Sequence, residues 1–197
     1  MAEELRLFVA LELPAPVLAA LERIQDDLRA DRSARAVRWT RPEGIHLTLK
    51  FLGETPAARL EAIQAGVRAA AGEHGPLRLR AGGLGCFPNP RAPRVIWVGL
   101  GGDLDALGAL QGAVEAAIAP LGFPTERRPF SPHLTLGRVR QDASPADVRA
   151  LGALVERTAI GTIGEWQAAA VSLMRSELGR DGARYTCLLS APLAGGG

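Results

Sequence analysis

Two histidines of this chain stand in matching surroundings. The segment RPEGIHLTL at 41–49 returns as RPFSPHLTL at 128–136, 87 residues later, with six of nine positions identical. Of three histidines in all, His46 and His133 fill the same slot of the repeat, and His74 lies outside it. Successive side chains of a strand alternate between faces, so His46 shares a face with Thr48, and His133 with Thr135, about 7 Å apart along each strand. Leu47, Leu49, Leu134 and Leu136 take the opposite face, where they can pack. Paired imidazoles suit cleavage of a phosphodiester. A neutral one deprotonates an attacking hydroxyl or water, and a protonated one donates to the leaving oxygen. The threonine hydroxyls can donate to the nonbridging phosphate oxygens, where charge builds in the transition state. Such chemistry needs no metal and no cofactor.

The two HLTL tetrads resemble the His-x-Thr-x motifs of the 2H phosphoesterase superfamily. Their contexts, HLTLKFLGE and SPHLTLGRV, together with RLFVALELP at 6–14, are similar to the bacterial and archaeal RNA 2′,3′-cyclic phosphodiesterases, also called 2′-5′ RNA ligases. The likeness spans most of the chain. It implies a bilobal α+β fold, each lobe an antiparallel sheet flanked by helices, with both tetrads at a central cleft. It also implies that His46 protonates the departing 3′-oxygen, that His133 activates water, and that a 2′-phosphomonoester results. The residues by themselves leave open which histidine is acid and which is base. Thr48, Thr135 and Arg138 would bind the phosphate. Simple alternation puts Arg138 opposite His133, unless Gly137 introduces a bulge that re-aims it.

Other activities fit the same residues. The reverse reaction would join a cyclic phosphate end to a 5′-hydroxyl, and a different small cyclic phosphate is a related substrate. A non-catalytic RNA-end binding module would be expected to carry a damaged tetrad, and both are intact. A metallohydrolase fits poorly, because no Asp or Glu cluster adjoins the histidines at ligand spacing.

Further residues near the motifs have plainer readings. Lys50 falls on the face of His46 and is expected to be a solvated strand residue. Phe51 is expected in the core beside Leu47 and Leu49. Phe8, Phe51, Phe87 and Trp97 are candidates to stack a nucleobase, with core packing the preferred reading for Phe51 and Phe8 named because its strand should adjoin the cleft. Arg41 and Arg128 head entry turns, and His74 ends a helix at the surface.

The elements that must position the site follow from periodicity. RLFVALEL at 6–13 reads as a buried strand, and Val17, Leu18, Leu21, Ile24 and Leu28 form a helical stripe reaching to Ala30. The first motif strand covers about 45–52. Thr55-Pro56 is an N-cap signal for a helix ending at Gly72, and Leu77 to Phe87 is a strand. The pattern then restarts with a strand at 93–100, a helix from Asp103 to Pro120 and the second motif strand at 133–139. Ser144-Pro145 opens a helix to Arg157, and strands near 165–176 and 184–190 follow. The whole is expected to be one bilobal domain over 1–197, built by internal duplication, with a disordered tail at 192–197.

Composition excludes little more. Hydrophobic residues make up 47% and charged residues 22%, ordinary for a globular chain. A net charge of +2 gives no broad electrostatic case for a nucleic-acid surface. Cys86 and Cys187 lack metal-ligand or redox spacing. The acidic start MAEELRLFVALELP lacks a signal peptide's basic region, and no apolar run is expected to reach membrane-spanning length. A cytoplasmic, membrane-free protein is therefore expected; it is further expected to be a monomer, and the resemblance implies that it acts on RNA ends or nucleoside cyclic phosphates.

Overall fold

In the computed structural model, residues 3–179 and 182–194 are described. The strands are β1 (Glu4–Leu11), β2 (Val37–Trp39), β3 (Leu47–Pro56), β4 (Leu77–Phe87), β5 (Val95–Gly102), β6 (His133–Val139), β7 (Thr162–Ala168), β8 (Ala170–Gly179) and β9 (Gly182–Pro192). The α-helices are α1 (Ala15–Arg29), α2 (Leu60–Gly72), α3 (Leu104–Ile118) and α4 (Pro145–Arg157). Two antiparallel sheets form, ordered β3-β1-β8-β9 and β2-β6-β5-β4-β7. Helices flank them, as the α+β expectation required.

The lobes exchange strands. β4 follows the first motif strand in sequence yet pairs with β5 in the second sheet, and β8, from the second half, pairs with β1 in the first. This exchange explains one miss. The stretch read as a single long strand near 165–176 breaks at Ala169, so that β7 stays in one sheet and β8 crosses to the other. A strand-like stretch carries no mark of which sheet each part joins.

One main core underlies both sheets. Leu7, Val9 and Leu11 of β1 belong to it together with Leu21 of α1, Ile63 and Val67 of α2, and Leu107, Leu110 and Val114 of α3. The 18 residues Leu104–Leu121 reach a mean hydropathy of 1.2, long and apolar enough to cross a membrane, contrary to the sequence expectation. Here Leu107, Leu110, Val114 and Ile118 of that stretch are buried on one stripe, and α3 packs on α2. That is the pattern of a core helix.

Cap signals succeed at one helix and fail at another. Ser144 caps α4, its Oγ accepting from the Asp147 N–H at 3.1 Å and donating to Asp147 Oδ2 at 2.7 Å. Thr55-Pro56, with the same local signature, stays in β3 instead, and α2 starts only at Leu60. Pairing with β1 wins there: Thr55 is buried opposite Leu5, and its hydroxyl donates to the Gly53 carbonyl. The expected tail also shortens. Pro192 closes β9, Leu193 is buried, and the Ala194 N–H donates to the His74 carbonyl at 2.7 Å. Residues 195–197 lie outside the described part.

Candidate active site

Strands β3 and β6 contact one another where the two sheets meet. Each carries its motif on the face turned away from the main core. In both strands an extra residue breaks the register, and this bulge fixes what lies beside the tetrad. On β3, Ala10 faces Thr48 and Val9 faces Lys50, so Leu49 is the inserted residue. On β6, Trp97 faces Thr135 and Ile96 faces Gly137, so Leu136 is inserted. An inserted residue reverses the alternation beyond it.

The consequences are equal in form and opposite in chemistry. On β6 the reversal brings Arg138 back to the face of His133 and Thr135, since Arg138 is opposite Val95, two residues from Trp97. Arg138 is exposed there, which answers the alternation argument against it. On β3 the same reversal turns Lys50 inward and Phe51 outward. Lys50 is 6% exposed, and its Nζ donates to Glu115 Oε2 at 2.6 Å and to the Pro124 carbonyl at 2.9 Å. It is neither solvated nor on the face of His46 and Thr48. Phe51 is 68% exposed rather than in the core, opposite Phe8 on the face of Thr48.

At the second bulge the Leu136 carbonyl accepts from the Thr40 N–H at 2.9 Å, and carbonyls buried at a bulge are costly to leave short of donors. A helical glutamine adds a donor at each bulge. Gln25 of α1 donates to the Leu136 carbonyl at 2.8 Å and to the Thr40 carbonyl at 2.8 Å. Gln111 of α3 reaches the Leu49 carbonyl at 3.4 Å. Gly137 is required at the second bulge, because a Cβ there would come within 2.5 Å of Val37 Cγ1 on β2.

The two imidazoles have different surroundings. His46 lies just ahead of β3, with its ring stacked on Phe8 at 4.5 Å and met edge-on by Tyr185 at 5.2 Å. Burial pushes its pKa down to about 4, with the Gly44 backbone and the negative Glu12 working weakly the other way. Glu12 in turn accepts a hydrogen bond from the buried Ser172 hydroxyl at 2.5 Å. Phe8 is 3% exposed and enclosed by His46, Phe51 and Tyr185. It floors the imidazole and cannot itself stack a base, contrary to the sequence expectation. Tyr185, reached only through β9, was not foreseen at all.

His133 is half-buried, and its Nδ1 donates to the Ser131 carbonyl at 2.7 Å. Since a carbonyl only accepts, Nδ1 carries the proton, and the neutral ring keeps its lone pair on Nε2. Phe87 meets this ring edge-on at 4.9 Å and leans on Trp97 at 5.1 Å. Trp97 in turn lies over Gly85, where any Cβ would come within 2.3 Å of the indole. Phe87 and Trp97 therefore support the histidine as a half-buried wall. Arg41, Arg128 and His74 stand apart: Arg41 and Arg128 are exposed, and the His74 N–H closes the end of α2 by donating to the Ala71 carbonyl.

The model of the LigT-like phosphoesterase family matches residues 11–97 and 102–185, which together cover most of both motif halves. The chain belongs to that family. An RNA 2′,3′-cyclic phosphodiesterase of Methanothermobacter thermautotrophicus is 33% identical over 183 residues, 93% of this chain and 96% of that one. A protein of the same name from Thermus thermophilus is 35% identical over 196 residues, covering 97% and 91%. The crystal structure of TT0787 of Thermus thermophilus superposes with a TM-score of 0.78 at 33% identity, over 96% of this chain and 98% of that one. The chain carries a mixed fold of two antiparallel sheets under helices. Among the described residues no three His, Cys, Asp or Glu side chains converge as a metal centre would require.

Proposed function

We propose that the protein hydrolyses RNA 2′,3′-cyclic phosphodiester ends to 2′-phosphomonoesters, with His46 and His133 as acid and base. The observation that carries this is the matched pair of bulged strands, each presenting His-x-Thr outward on the face turned from the core. The relatives' printed names point to the same substrate class.

His133 Nε2 takes a proton from the attacking water as its oxygen bonds to phosphorus. The bond from phosphorus to the 3′-oxygen breaks, and His46 delivers the proton that this oxygen needs. Solvent then restores both protonation states. Thr48 and Thr135 donate to the nonbridging oxygens, and Arg138 offsets their charge. His46 is held neutral by burial, so the negative substrate must draw its proton in; a phosphate beside the ring raises its pKa. Phe51, exposed beside Phe8, offers the face on which the terminal base stacks.

We read the chain further as one bilobal domain arising from duplication at the 87-residue offset, acting as a cytoplasmic, metal-independent monomer. The test is product analysis on an oligoribonucleotide ending in a 2′,3′-cyclic phosphate, in EDTA. Ring opening to a 2′-phosphate is expected, with His46→Ala and His133→Ala each slower by roughly a hundredfold or more. A 3′-phosphate product, loss of activity in EDTA, or full activity in either variant would refute the mechanism.

A further inference from the structure

β2 is only three residues long, yet it forms the edge of the second sheet and lies directly against the catalytic strand. In that pair Arg38 is the register partner of Arg138. Directly opposed residues share a face, so Arg38 stands on the face of Thr135 and His133. Both arginines are exposed, and among the described residues neither has an ion pair. Like charges set opposite one another weaken a strand pair. By contrast, Arg6, Arg29 and Arg157 each lie within 3.5 Å of a carboxylate.

The arrangement around Arg38 is fixed by buried contacts. Gly137 lets β2 approach, Val37 is buried against it, and the Trp39 indole is covered by Arg29. Two cations are thus held side by side at the open edge of a phosphate-binding face. Arg138 is the next outward residue beyond Thr135, and Arg38 lies one strand further out. A nucleic-acid chain whose last phosphate sits at His133 and Thr135 can leave the site across this edge.

We infer that Arg38 binds the phosphodiester immediately upstream of the terminal phosphate, and so makes the site prefer an RNA chain end to a mononucleotide. The inference rests on the hydrolase reading for the terminal phosphate. Its test is calorimetric titration with two probes, a nucleoside 2′-phosphate and a dinucleotide bearing the same 2′-phosphate. The wild-type protein should bind the dinucleotide more tightly. Arg38→Gln should reduce the dinucleotide-to-mononucleotide affinity ratio by about tenfold, as loss of one charge-assisted contact predicts. Arg38→Lys should retain part of the preference, and the salt dependence for the dinucleotide should become shallower by roughly 0.7 in log–log slope for Arg38→Gln.

Equal weakening toward both probes would place Arg38 on the terminal phosphate and overturn the proposal. An unchanged ratio would make it a solvated edge charge, with the same result. Turnover of the matching cyclic phosphates by the wild type is measured in parallel. Its absence would sink the hydrolase reading, while the binding ratio would still decide Arg38.

Discussion

The two motif strands begin alike and end differently. β3 and β6 each run His, Leu, Thr, Leu, each inserts its second leucine as a bulge, and each has that leucine's carbonyl taken by a helical glutamine. They diverge at the next two positions. Lys50 and Phe51 of β3 correspond to Gly137 and Arg138 of β6. One bulge therefore sends a cation into the core and an aromatic ring outward. The other admits a neighbouring strand and sends a cation outward. The two histidines differ in the same sense, since His46 is walled by Phe8 and Tyr185, whereas His133 keeps a carbonyl-bonded, half-buried position. A repeat that preserves backbone geometry can thus supply opposite environments to equivalent residues. A step with one acid and one base needs that asymmetry.

The comparison is broken most severely at Lys50. Lys50→Met leaves the Glu115 carboxylate without its cation in a site where that group is only 13% exposed. Removing one partner of a buried pair costs about 3–5 kcal/mol. Denaturant unfolding should show this loss, and pairing the change with Glu115→Leu should recover most of it. A double mutant no better than the single would mean the ion pair is not what holds β3 to α3.

The histidine environments come next. In the fold His46 has its pKa lowered from 6.5 to about 4, so its neutral form is favoured. As pH falls below 6.5 the unfolded chain takes up the proton first, and folded stability is lost until about pH 4. The loss attributable to His46 is on the order of 3 kcal/mol. Stability measured at about pH 7 and about pH 4.5 should diverge less in His46→Ala than in the wild type; equal divergence would remove burial as the cause.

A smaller effect separates the two glutamines. Gln25→Leu removes the side-chain donor to the Thr40 carbonyl and one of two donors to the Leu136 carbonyl, and should cost about 1–3 kcal/mol. Gln111→Leu gives up a longer contact and should cost less. Both should lower turnover in proportion to how far Arg138 or Phe51 is re-aimed, and a reversed order of costs would contradict the bulge account. Smallest is Phe51→Ala, expected to raise KM about tenfold through a lost stacking face, with little change in kcat. A kcat effect instead would place Phe51 among the groups that hold His46.

Much of this was legible in the chain. The duplicated nonamer located His46, Thr48, His133 and Thr135, and periodicity located the four helices and β1, β4, β5, β6 and β9. The faces of Lys50, Phe51 and Arg138 were not legible by alternation, because a bulge is defined by the partner strand and not by the strand that contains it. Gly137 was a usable hint at one bulge; its counterpart Lys50 offered none. Phe8 was placed near the cleft correctly, but its burial depended on Tyr185, 177 positions away in sequence. The failed cap at Thr55 has a similar origin, since local signals for a helix lost to pairing with Leu5 on another strand.

The sequence by itself determined the residues of the candidate site: two imidazoles, two hydroxyls, and apolar residues behind them at a period that only a strand can use. Those are choices of residue type and spacing, and they are written locally. Only the tertiary structure decided which neighbours share the catalytic face, which histidine is desolvated, and that Arg38 stands beside Arg138. Each of those depends on strand register between distant segments, and register is settled by core packing and satisfied carbonyls rather than by any one strand.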